Sequence, residues 1–234
     1  MALALPPEGQ SLLTSAPTIH AACRAVSQRA AQTLKWVTQH QTSLLDIALD
    51  HLTLGRAALY AAMLESCGSR REEAQTSAAE SQSLLTSAPT IATARHELDA
   101  AVSGLRRAGE QRFVPLGLLT RAWLRFLTGP RTGPASAQAD LDEAWEIAAR
   151  GPMRLFLADI HLHRARLFGA RQGTGDGKQG AGDSAPPYPW PTPPDGSPRG
   201  PAADLSAAEQ LIKQCGYHRR DEELADAQRA LGVS

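Results

Sequence analysis

One hexapeptide pattern, Leu-x-Arg-Ala-x-Leu, recurs three times in the 234-residue chain, at 54–59, 119–124 and 162–167. A chain that repeats itself folds as a row of similar units, each burying its apolar face on the next. A second element alternates with the first: Leu-x-x-Ala and then a glycine, at 98–101 with Gly109, 141–144 with Gly151, and 205–208 with Gly216. From the arginine to the second leucine the gaps are 42, 20 and 41 residues, whereas glycine to the next arginine holds at 12, 13 and 13, the last reaching Arg229 and Ala230. The middle copy, 43 residues from Arg121 to Arg164, is therefore the compact unit, and its neighbours carry insertions of 22 and 21 residues.

The periodicity is helical. Between His20 and His40, Ala22, Val26, Ala30, Leu34 and Val37 recur at spacings of four and three, which predicts the second helix of an incomplete preceding unit. Over 44–64 a second stripe runs through Leu45, Leu49, Leu52, Leu59 and Met63, with Gly55 and the alanines letting a neighbouring helix come close. Helix formers dominate and period-two alternation is absent, so the expected class is all-α, built of antiparallel helix pairs.

The expected organisation is a disordered leader over 1–19, helical repeats over 20–169 with an insertion at about 67–92, a disordered Pro/Gly-rich insertion over 170–203, and a terminal helical pair over 204–234. Seven glycines and eight prolines in the 34 residues of 170–203 cannot sustain a helix or a sheet. Its Pro186–Pro194 core has the composition that docks on proline-recognition grooves, although a tolerated loop is the simpler reading. The decapeptide Gln-Ser-Leu-Leu-Thr-Ser-Ala-Pro-Thr-Ile stands word for word at 10–19 and 82–91, outside both repeated elements. Such identity points to a recent duplication rather than to an ancestral unit.

Composition excludes more than it selects. Lysine plus arginine equals aspartate plus glutamate, so no global basic field exists to draw in nucleic acid or an anionic membrane. Cys23, Cys67 and Cys215 are odd in number and lack a Cys-x-x-Cys spacing, which fits a reducing, cytoplasmic setting. The start of the chain has no basic region before Pro6 and Pro7, and no apolar run reaches membrane-spanning length.

No arrangement of residues reads as catalytic, and no cofactor or metal is expected. Gly175, Gly177 and Gly180 form a Gly-x-Gly-x-x-Gly that follows no strand and opens no helix, so it lacks the geometry of a phosphate cradle. His161 and His163 are two apart, about 200° around a helix, and cannot grip one metal. Asp140, Asp142, Glu143 and Glu146 read as the solvated face of a helix. Trp123, Trp145 and Phe168 read as core filling.

The candidate binding residues are Arg56, Arg121 and Arg164, one per hexapeptide. If Gly55, Thr120 and His163 take the small-residue position, the arginines face a groove, as a ladder suited to an acidic peptide. If Ala57, Ala122 and Ala165 take it, the arginines lie between helices and bridge carboxylates or carbonyls of the adjoining unit.

His51-x2-Leu54-Gly55-x2-Ala58 keeps the Leu-Gly pair of the tetratricopeptide first helix, and Ala94-x3-Leu98-x2-Ala101 and Ala137-x3-Leu141-x2-Ala144 keep the second-helix spacing, so the units resemble tetratricopeptide repeats. Pro201 departs from that pattern in the third unit. The phrases over 45–57, 98–109 and 215–224 are similar to the C-terminal repeat arrays of bacterial signal-transduction ATPases of the STAND class. The resemblance implies a right-handed superhelix that serves as a non-catalytic protein-interaction scaffold for a protein or peptide partner. It also implies two alternatives: a detached sensor or autoinhibitory array, whose partner is an ATPase or effector module encoded nearby, or a decayed gene fragment.

Overall fold

The computed structural model describes residues 16–40, 43–73, 88–169 and 200–233, and every regular element among them is helical. The α-helices are α1 (Ala16–Gln39), α2 (Leu44–Glu73), α3 (Ala88–Arg107), α4 (Val114–Thr128), α5 (Ala137–Arg150), α6 (Arg154–Arg164), α7 (Pro201–Cys215) and α8 (Asp221–Leu231). A π-helical turn, Ala165–Gly169, continues α6, and 3-10 turns at Gln111–Phe113 and His218–Arg220 lead into α4 and α8.

The three hexapeptides lie in α2, in α4 and across the end of α6, and the three Leu-x-x-Ala elements lie in α3, α5 and α7. Each repeated unit is thus one helical hairpin. Every helix packs chiefly on the one before and the one after it, and the first helices also touch one another, α2 with α4 and α4 with α6. Contact confined to consecutive helices and adjoining hairpins is the packing of a linear stack.

The core follows the same order. One cluster joins Ala94, Leu98 and Ala101 of α3 to Leu52 and Leu59 of α2. A central one holds Leu118 and Ala122 of α4 with Leu141 and Ala144 of α5, and a third joins Leu162 to Leu205, Ala208, Ile212 and Leu224. Most leucines and alanines of both repeated elements lie in these clusters. Fully burying one leucine contributes about 1.5–3 kcal/mol, so the repeat pattern is a pattern of core positions.

Local chemistry starts and stops the helices. Ser136, fully buried, caps α5 by accepting from the Ala139 amide at 3.2 Å. Gly216 closes α7 in the left-handed region, at φ 63°, where a side chain would be strained. Gly55 is a close-approach glycine: a Cβ there would stand 2.7 Å from the Leu98 side chain of α3.

In α1, Ala30 and Val37 bury against α2, while Val26 of the same expected stripe is exposed beside Ile19 and Trp36. The expected leader and insertions overlap the described residues at 16–19, 67–73, 88–92 and 200–203, and the chain is helical there apart from Gly200. The remainder of those segments, with the Gly-x-Gly-x-x-Gly and the Pro186–Pro194 run, lies outside the described residues. The shared decapeptide has a structural consequence all the same. Its last four residues, Ala-Pro-Thr-Ile, form the opening turn of both α1 and α3, with proline at the second helical position, where its missing N–H costs nothing.

Candidate functional site

The hexapeptide arginines do not form a line of equivalent free cations. Arg121 is 9% exposed and grips Asp140 with two bonds, Nε to Oδ2 at 3.1 Å and Nη2 to Oδ1 at 2.7 Å. Its Nη1 donates to Asp99 of α3 at 3.1 Å. Arg164 is 2% exposed, stacks its guanidinium 4.7 Å from the Trp145 ring centroid, and donates once, to Asp142 at 3.3 Å. Its Nε has no acceptor. Arg56 is half-buried and crosses to α4, donating from Nε to Thr120 Oγ1 at 3.0 Å and from Nη2 to the Leu116 carbonyl at 3.3 Å. The arrangement is the second of the two sequence alternatives: Ala57, Ala122 and Ala165 are all buried and the arginines bridge helices, while Gly55 separately sits against Leu98.

The acids of the second helices follow a rule of their own. The residue just before the leucine of every Leu-x-x-Ala element is acidic, and each pairs with a cation or imidazole of the first helix of its own hairpin. Glu97 accepts from His51 Nδ1 at 2.6 Å, Asp140 accepts from Arg121 and from Arg125 Nη1 at 2.9 Å, and Asp204 accepts from His161 Nδ1 at 2.7 Å. This corrects the reading of Asp140 as part of a solvated face, since Asp140 is 2% exposed. The physical reason is that adjacent helix positions point 100° apart, so the residue beside a core leucine reaches the groove between helices. Burial raises the Asp140 pKa even against the pull of Arg121 and Arg125.

A second set of side chains runs across the first helices. Tyr60 of α2, among the exposed large apolar residues, stands edge-on to Trp123 of α4 with ring centroids 6.1 Å apart. On the other side Trp123 meets the His163 ring at 6.3 Å and the Arg166 guanidinium at 5.9 Å. Arg166 then pairs with Glu223 of α8 at 3.5 Å. Beneath this strip Arg220 donates to Asp159 at 2.8 Å and to Glu223 at 2.6 Å. Burial lowers the Arg56 pKa, and Arg220 adds to this from across the same face. Trp123 packs against two core clusters while it lies in this strip, whereas Phe168 is buried outright.

His161 and His163 point apart: the first turns to Asp204 and the Trp145 ring, and the second donates from Nδ1 to the Asp159 carbonyl at 2.8 Å and lies on Trp123. Among the described residues no three histidine, cysteine or acidic side chains are grouped to hold a metal ion, and no helix is long and apolar enough to cross a membrane.

Fold and site together define an all-α stack of helical hairpins with an aromatic and charged strip on its first helices. No protein-family model, curated protein or solved structure matches the chain.

Proposed function

We propose that the chain is a non-catalytic protein-interaction scaffold of tetratricopeptide-like repeats, which takes a peptide segment of a partner protein along the first-helix strip. The observation that carries this reading is the continuity of Tyr60, Trp123, His163 and Arg166 across successive hairpins. Aromatic rings with one wet edge and a guanidinium beside them are the side chains that dominate binding energy at protein interfaces. Stacked hairpins present such side chains at regular intervals, which suits an extended or helical segment. Cys23 and Cys215 are free thiols, in keeping with a reducing cytoplasmic setting.

In this reading Arg121 and Arg164 build the scaffold, and Arg56 and Arg166 border the peptide. The test is a selection of peptides from a random library on the full chain, followed by affinity measurement on Tyr60→Ala and Arg166→Ala. Loss of about tenfold or more in each, the scale of an interface hot spot, supports the strip as the binding face. Peptides that bind both variants as they bind the unaltered chain overturn it.

A further inference from the structure

Away from that strip, α3 and the C-terminal half of α4 enclose a cleft of about 190 Å³, closed by the turn at Gly129 and Pro130. Three guanidiniums line it, those of Arg95, Arg121 and Arg125, together with the Asp99 carboxylate and Thr128. Asp140, buried at one side, is chelated by Arg121 and Arg125. Three cations thus face two carboxylates, leaving one net positive charge in the cleft of a chain whose overall charge is zero.

The donors are far from satisfied. A guanidinium carries five N–H groups. Arg95 uses one, from Nη2 to Thr128 Oγ1 at the long distance of 3.4 Å, and Arg125 uses one nitrogen, Nη1, for both Asp140 and the Ser136 carbonyl. Asp99 holds Arg121 by one oxygen at 3.1 Å and its side chain is 53% exposed, so it is a displaceable occupant. Burial lowers the Arg125 pKa even against the pull of Asp140 and Asp99, with Arg121 and Arg106 adding to the lowering.

We propose that this cleft binds a phosphate group. A carboxylate ligand would only replace the single charge that Asp99 already supplies. A phosphate carries close to two charges and three acceptor oxygens, enough to engage Arg95, Arg121 and Arg125 at once through the bidentate geometry that guanidinium and phosphate share. The site is independent of the first-helix strip and of what binds there.

The experiment is a calorimetric titration of the full chain with inorganic phosphate at fixed ionic strength, in parallel with O-phosphoserine and with acetate. Saturable binding of phosphate and none of acetate is expected. Arg95→Gln and Arg125→Gln should each weaken it about tenfold, the loss of one charge-assisted hydrogen bond, while Asp99→Asn should tighten it by freeing Arg121. Arg95 is exposed, so Arg95→Gln leaves the fold intact and keeps the test decisive. O-phosphoserine binding more tightly than phosphate assigns the site to organic monoesters, and equal affinity assigns it to free phosphate. Absence of saturable binding, indifference to Arg95→Gln, or weaker binding in a folded Asp99→Asn protein overturns the proposal.

Discussion

Arg164 reaches back to Asp142, 22 residues earlier, with Nη2 donating to Oδ1 at 3.3 Å, and Arg121 makes the same move at the same separation onto Asp99. Each aspartate directly follows the leucine of a Leu-x-x-Ala element, so one contact is repeated between successive hairpins. The series stops at both ends. Twenty-two residues before Arg56 stands Leu34, which offers no carboxylate, and Arg56 turns instead to Thr120. In the last unit Ser206 stands where the aspartate would be, and Arg229 pairs locally with Asp226.

The two equivalent arginines should respond oppositely to the same substitution. Arg121→Met leaves the buried Asp140 with Arg125 alone and removes its two-bond grip, and should cost about 3 kcal/mol in chemical denaturation, the low end for breaking a buried ion pair. Arg164→Met removes a guanidinium that makes one long bond and leaves its Nε unpaired, while methionine keeps the packing on Trp145. It should be neutral or stabilising by about 1 kcal/mol. Equal losses at the two sites would show that Arg164 is held by more than Asp142.

Exposure should separate ion pairs of similar geometry. Arg106 and Glu143 form a bidentate pair on the surface of α3 and α5, and Arg106→Ala should change stability by about 1 kcal/mol or less. A loss as large as that of Arg121→Met, read in the same denaturation series, would contradict the ranking by burial.

Gly55→Ala places a methyl group 2.7 Å from Leu98, whose own exposure is zero. The intrinsic helix gain of about 0.5–1 kcal/mol should be outweighed by overpacking of about 1–3 kcal/mol, giving a lower thermal midpoint. A raised midpoint would mean that α2 and α3 separate without cost.

Burial lowers the His163 pKa below the ordinary 6.5, against the opposing effects of its hydrogen bond to the Asp159 carbonyl and of the Asp159 charge. As pH falls through that value the unfolded imidazole takes up a proton that the folded one refuses. His163 therefore contributes stability that is full above pH 6.5 and is lost on acidification. Asp159, its pKa raised chiefly by burial, acts with the opposite sign in the acid range, so comparison with His163→Phe isolates the imidazole. Thermal midpoints from about pH 7.5 to about 5.5 should fall less steeply in the variant than in the unaltered chain. Identical slopes would remove His163 from the account.

The hairpins were legible because their core positions repeat: Leu98, Leu141 and Leu205 are each buried in the second helix of a unit. The acids beside them carried a signal that composition obscures. Glu97, Asp140 and Asp204 all precede those leucines, yet an acid on a helix looks solvated until its partner on the facing helix is known, and that partner is histidine in two units and arginine in one. The strip was illegible for a related reason. Tyr60 and Trp123 do not occupy the same hexapeptide position, so only the lateral packing of α2 on α4 brings their rings together.

The most direct measurement is the affinity of a library-selected peptide for the Tyr60→Ala/Arg166→Ala double variant, with helicity followed by circular dichroism. The account predicts binding reduced by about a hundredfold, the sum of two hot-spot losses, with an unchanged helical signal. Retained affinity in a fully helical double variant would contradict it and place recognition elsewhere on the stack.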